Sequence, residues 1–344
     1  MMTNQSTSGE LRRRRIWVRL ILGVVLFVTA LVLSPSLFPP FSFSKRVAAL
    51  TTEITALQIR THIEHLVAIG PRPGTDSVAT RATVDYIKAQ LVEFGYEPQE
   101  EAVSWHGVAD GTVVNVIAEL RGSKFPDVIV EIGAHYDTVP GSPGADDNAS
   151  GVAGLLEVAR ILPRLSYEKT IRLCFFGLEE KGLIGSQVHV AQFQTDATRE
   201  VEGLLNLEMI ACRKTSPNSQ SAPIRIPIIA SLPTTGDFIT VVGDFQSGTL
   251  GNLFEASARL YASDLEYFSA NRIGGFFGDA SRSDHSPYWE VDLPGIMLTD
   301  TAEFRNHNYH KPGDIIETLD LDFAALVTRA AAATMMHWAV LASD

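Results

Sequence analysis

Five short apolar runs, residues 112–120, 128–134, 170–176, 203–209 and 295–298, are separated by stretches whose apolar residues recur at helical spacing. A run that is apolar without alternation has to hide both of its faces, which is the pattern of strands in a parallel sheet covered by helices. The helical stretches fall at 149–162, 184–193, 250–262 and 321–341, preceded by two more at 53–69 and 77–94. Gly70-Pro71-Arg72-Pro73-Gly74 stops the first of these and Gly95 the second. The expected fold class is therefore α/β, a three-layer αβα sandwich around a mostly parallel mixed sheet. Residues 213–249, rich in Pro, Ser, Thr and Gly, show no period and are expected to form loops bordering a site.

The first fifty residues differ in character from the rest. They hold seven basic residues and one acid, while the chain as a whole is −12, so residues 51–344 carry −18. That remainder suffices for one large domain, and its acidity excludes nucleic acid as a partner. Arg12 to Arg15 precede an uncharged run from Leu20 to Leu33; counted from Ile16, the apolar stretch approaches the ~20 residues a spanning helix requires. The expected organisation is a basic cytoplasmic tail (1–15), an N-terminal transmembrane helix acting as signal anchor (16–34), a linker (35–50) and one folded domain (51–344). Basic residues ahead of the helix place the domain on the extracytoplasmic side of the membrane. A cleaved signal peptide, giving a secreted protein, is the alternative; bulky Leu37-Phe38-Pro39-Pro40 offers no small-residue cleavage site. Cys174, inside one apolar run, and Cys212, just past another, are expected to be unpaired.

The chemistry lies where the strands end. In open α/β sheets, ligands gather beyond the carboxyl ends of the strands. His135-Tyr136-Asp137 follows the second run, Asp146-Asp147-Asn148 opens the helix after it, and Glu179-Glu180 follows the third. Glu208 lies at the end of the fourth run, and Tyr309-His310 in the loop after the fifth. Each group has an ordinary explanation by itself, such as a helix cap or a solvated turn. Together, unpaired carboxylates at one sheet edge would repel one another and raise their own pKa values, a cost that a pair of divalent cations removes.

These segments, GAHYDTVPGSPGADDNASGVAGLLEVAR, FFGLEEKGLIGS, LNLEMI, SRSDHSPY and NYHKPGD, resemble the co-catalytic two-zinc aminopeptidases, a family that also includes glutamate carboxypeptidase-like enzymes. The resemblance runs from about residue 57 to the C-terminus. It implies two zinc ions bridged by Asp146, one also held by His135 and Glu208, the other by Glu180 and His310. It implies Glu179 as general base, Asp137 as acceptor of the His135 ring N–H, and His285 as a stabiliser of the oxyanion beside Asp284. The implied activity is a metallo-aminopeptidase acting on peptides. One departure stands out: such aminopeptidases usually have aspartate where this chain has Glu208.

Three other readings share the motifs. A glutaminyl-cyclase-like transferase would use one zinc, a receptor-like module would have lost its ligands, and a carboxypeptidase would need a cation such as Arg213, Lys214, Arg272 or Arg282 in its pocket. The remaining histidines, His62, His65, His106, His189, His307 and His337, lie on helical patterns or lack acidic neighbours in sequence and are read as bystanders.

Overall fold

The computed structural model describes residues 40–106, 113–221 and 233–342. The tail 1–15 and the apolar segment 16–34 lie outside the described residues, among which no helix is long and apolar enough to cross a membrane. The folded unit begins at Phe43.

Eight strands form one mixed sheet in the order β1-β2-β4-β3-β5-β8-β6-β7. They are β1 (Gln99–Val103), β2 (Val113–Leu120), β3 (Phe125–His135), β4 (Lys169–Phe176), β5 (Glu200–Glu208), β6 (Phe238–Gly243), β7 (Glu266–Ala270) and β8 (Gly295–Thr299). The four central strands β4, β3, β5 and β8 run parallel, so all four end on one edge. β6 is antiparallel to β8 and parallel to β7, so both of these begin at that same edge. β1 and β2 complete the other side as antiparallel neighbours.

Helices cover both faces. On one lie α1 (Lys45–Thr51), α2 (Ala56–Ile69), α3 (Ser77–Glu93), α4 (Ala149–Ile161), α6 (Gly248–Tyr261) and α8 (Leu321–Trp338). α4 is buried along nearly its whole length, between the central strands and α2, α3 and α8. The opposite face carries α5 (Ile184–Thr195) and the single turn α7 (Ser286–Trp289), whose Val190 and Tyr288 pack with Ile129, Cys174, Phe176 and Leu204 of the sheet. The sandwich expected from sequence is present.

Three strands escaped the periodicity. β1 reads Gln-Glu-Glu-Ala-Val, polar because it is an edge strand exposed on one side. β7 has only five residues. β6 corrects the expectation that 213–249 is all loop: Phe238–Gly243 is fully buried between β8 and β7, and the turn residues around it masked the run. The stretch 35–50 is likewise not all linker, because Lys45–Thr51 is helical, capped by Ser44, with Val47 and Leu50 buried. α8 stops at Trp338 rather than 341, because Val340 adopts positive φ and Leu341 bridges to Tyr167.

Candidate metal centre

Each expected group sits at the carboxyl edge, and backbone geometry turns it inward. β3 ends on His135 and β5 on Glu208. After β4, Leu178 takes a left-handed conformation, φ 61°, which bends the chain so that Glu179 and Glu180 face the edge. A left-handed non-glycine residue costs roughly 1–2 kcal/mol, offset here by the complete burial of Leu178 against Val103 and Val113. Met209 and His310, also at positive φ, perform the same re-aiming after β5 and in the last loop.

Two donor sets result. His135 Nε2 lies 3.3 Å from Glu208 Oε2 and 3.5 Å from Asp147 Oδ1. His310 Nε2 lies 3.1 Å from Asp147 Oδ2 and 3.2 Å from Glu180 Oε2. Asp147 therefore presents one oxygen to each histidine. The acid standing between the two histidines is thus Asp147, not Asp146, which was the expected bridging ligand. Asp146 turns the other way, where its carboxylate accepts N–H groups from Ala211 (3.1 Å) and Asn306 (2.7 Å) beside buried Asp300. Asn148 is the helix cap: its Oδ1 accepts from Gly151 and Met209, and its Nδ2 donates to Leu207 O, tying the start of α4 to the end of β5. The cap keeps α4 so near β5 that a Cβ on Gly151 would lie 2.6 Å from Leu207 O.

The electrostatics match a site built for cations. Burial alone would lower the pKa of His135, yet Glu208 and Glu179 raise it well above 6.5. Burial likewise opposes protonation of His310, but hydrogen bonds to Asp147 and Glu180 bring it up to about 10. Burial raises Glu180 to about 7, and its Oε1 is buried without a hydrogen-bond partner. An orphaned carboxylate oxygen between clustered acids, beside two imidazoles on which those acids favour positive charge, fits a site where dications would take the place of protons.

The supporting residues divide differently from the expectation. His135 Nδ1 faces Asp137 but lies nearer its backbone carbonyl, 3.2 Å, than its carboxylate, 3.6 Å. The carboxylate instead accepts the backbone N–H of Glu179 (3.0 Å) and Glu180 (3.3 Å), fixing the turn that carries both. In Ser283-Asp284-His285 it is Ser283 that touches a ligand, donating to Glu208 Oε2 while receiving from Asn206. His285 does not reach the cleft, which corrects its proposed oxyanion role. It is fully buried against Trp289, its Nε2 pairs with Ala280 O at 2.7 Å, and burial holds its pKa down at about 4.

Beside the acids runs a cleft with a cavity volume of about 240 Å³. Its apolar wall comes from Phe238 and Val242 of β6, Phe268 of β7, Met297 of β8, and Ile273 and Phe277 from the connection that follows β7. Tyr309 lies at the junction of wall and acids, stacked on His310 at 3.7 Å, with its hydroxyl 3.3 Å from Arg282 Nη2. The wall went unseen in the sequence because β6 and β7 did. Tyr309 was visible beside His310, but no spacing rule assigns a role to a tyrosine.

The other histidines stay away from both donor sets, though acidic partners reach two of them from other elements. His189 lies between Glu101 and Glu131, and His62 meets Glu157. Both cysteines are free and buried. Of the candidate cations, Arg282 lines the cleft but is paired with Glu303 (2.6 Å) and Asp279 (3.6 Å), whereas Arg213 pairs with Asp320 and Arg272 with Gly248 O.

The chain is similar to known proteins in sequence and in fold. "Uncharacterized protein YfbL" of Escherichia coli (strain K12) is 36% identical over 273 residues, 75% of this chain and 80% of that protein. "Aminopeptidase YwaD" of Bacillus subtilis (strain 168) is 35% identical over 236 residues, 67% of this chain and 46% of that protein. Among solved structures, BSAP, a zinc aminopeptidase from Bacillus subtilis, superposes with a TM-score of 0.65 at 18% identity, covering 84% of this chain and 96% of that one, a likeness of fold. The model of peptidase family M28 matches residues 115–335, which contain every donor described above, and the chain belongs to that family.

Proposed function

We propose that this protein is a zinc-dependent aminopeptidase that removes apolar residues from the free amino ends of peptides, with two zinc ions held by one shared carboxylate. The observation that carries this reading is Asp147, whose two oxygens face His135 at 3.5 Å and His310 at 3.1 Å. Glu208 completes one ligand set and Glu180 the other. The longer side chain of Glu208, where aspartate is usual, is steadied by Ser283. Two complete sets favour a two-metal hydrolase over a single-zinc transferase, and filled ligand positions speak against a metal-free module.

Bound zinc supplies Lewis acidity, which acidifies a water and polarises the scissile carbonyl. The residues of this chain do the rest. Glu179 borders the first ligand set without being needed to complete it, and its carboxylate takes a proton from the attacking water. The same carboxyl then returns that proton to the leaving amine. Burial raises Glu179 well above the usual carboxylate range, and nearby Glu208 adds to this. A raised pKa makes a carboxylate a better base, and the charge of bound cations keeps it ionised. The Tyr309 hydroxyl, at the junction of acids and cleft, takes the oxyanion role that His285 cannot fill.

Substrate polarity follows from the cleft. The apolar wall accepts the first side chain, while the carboxylates around it attract an ammonium group. Arg282, already paired with Glu303 and Asp279, leaves no free cation among the described lining residues to receive a C-terminal carboxylate. The reading is tested with a panel of peptides beginning with leucine, phenylalanine, glutamate or glutamine, each in free and N-acetylated form. Turnover of the free-amine leucyl and phenylalanyl substrates alone is expected. Release of C-terminal residues from acetylated peptides, or cyclisation of glutaminyl substrates without free amino acid, would overturn it.

Residues 16–34 as an uncleaved signal anchor would hold the enzyme at a membrane with its domain outside the cytoplasm. Full-length protein remaining with membranes after carbonate washing supports this; release into the soluble fraction argues against it.

A further inference from the structure

The last loop contains a buried acid that belongs to neither ligand set. Asp314, four residues after His310, is completely buried. Its Oδ1 accepts the backbone N–H of Asp146 at 3.0 Å and its Oδ2 that of Asp147 at 3.1 Å. Its own carbonyl accepts from Ala145 N at 3.2 Å, and Ser142 Oγ donates to Lys311 O at 3.2 Å. Four hydrogen bonds thus join residues 142–147 to residues 311–314. From elsewhere in the fold, buried Arg72 grips the same loop by its carbonyls, Nη1 on Pro143 O at 2.8 Å and Nη2 on Gly144 O at 3.0 Å. Gly144 is at φ 61°, and a Cβ there would lie 2.3 Å from Asp147 O, so the loop has one narrow path.

This arrangement has a directional consequence. His135 and Glu208 are fixed by the ends of β3 and β5. Asp147 and His310 both sit on loops, and Asp314 is what joins those loops. We infer that Asp314 is a positioning residue that sets the Asp147–His310 spacing, and so tightens chiefly the zinc position formed by Asp147, Glu180 and His310, none of whose ligands stands at a strand end, and only slightly the one that shares Asp147 with His135 and Glu208. The inference rests on the two-zinc reading. A ligand held in place by such an outer partner typically gains about 10- to 100-fold in metal affinity.

The test is a zinc titration of the metal-free full chain against a competing chromophoric chelator, comparing wild type with Asp314→Asn. The amide keeps one acceptor but turns a donor toward the second N–H. Two binding events are expected in the wild type. In the variant the first stays within about threefold while the second weakens at least about tenfold. Its kcat at limiting zinc should fall and return with excess zinc, with KM unchanged. If Asp314→Asn does not fold, Ser142→Ala removes the Ser142–Lys311 bond together with the Gly144 N–H bond that Ser142 Oγ accepts, leaves Asp314 intact, and should weaken the second event by about threefold. A second event unchanged in every folded variant, or both events weakened equally, overturns the inference. A wild type that binds one zinc overturns the two-zinc reading beneath it, and the inference with it.

Discussion

Adjacent residues at this centre have divided tasks that composition cannot separate. Asp146, Asp147 and Asn148 are two acids and an amide in a row, yet one braces the loop after β5, one faces both histidines, and one caps α4. The sequence announced that a carboxylate would stand here, because a cluster of acids at a strand edge demands cations. Which of the two acids it was depended on a backbone turn that no spacing encodes, and the neighbour was expected. Glu179 and Glu180 form a similar pair, and there the expected division is compatible with the geometry: Glu180 meets His310, whereas Glu179 borders His135 and Glu208. Replacing Glu179 by Gln keeps its shape and removes its basicity. Turnover should fall by about 10²- to 10⁴-fold while zinc content measured by atomic absorption stays at the wild-type value. Near-normal turnover in that variant would remove Glu179 from the base role.

At the level of elements, the strands buried on both faces were legible and the polar or very short ones were not. β3, β4, β5 and β8 were located to within a few residues because parallel strands must be apolar throughout. β1 escaped for the opposite reason, and it carries Glu101 into a buried charged group beneath α5. There Glu131 of β3 meets Arg172 of β4 at 2.6 Å and His189 of α5 at 3.2 Å, while His189 also meets Glu101 at 3.1 Å. Burial alone would raise the pKa of Glu131, but His189 and Arg172 bring it down to about 2. A carboxyl with a folded pKa near 2 against 4.5 when free stabilises the fold above pH 4.5, and that contribution is lost as pH falls toward 2. Glu131→Gln takes from Arg172 and His189 the carboxylate they share, leaving Glu119 and Glu101 as their acidic partners, and should cost about 3 kcal/mol at pH 7. Measured by urea unfolding of chelator-treated protein, the gap between wild type and variant should narrow steadily below pH 4.5. A gap independent of pH would show that the charge of Glu131 is not what stabilises this group.

On the scale of the whole molecule, the sandwich and its active edge were readable, but the start of the domain was not. Pro39-Pro40 and the serines after it suggest a linker, whereas Val47 and Leu50 of α1 are buried against α6 and α8. A chain beginning at residue 51 should therefore be less stable than one beginning at residue 43, by about 3 kcal/mol or more from two lost apolar side chains. Equal urea midpoints would contradict the packing of α1. The account as a whole depends on two cations sharing the Asp147 carboxylate. Crystals of the zinc-loaded protein measured at the zinc absorption edge test this directly. The expected result is two anomalous peaks about 3.5–4 Å apart, one between His135 and Glu208, the other between Glu180 and His310, with Asp147 between them. A single peak, or a peak at Asp146, Cys212 and Asp300 instead, would contradict the account.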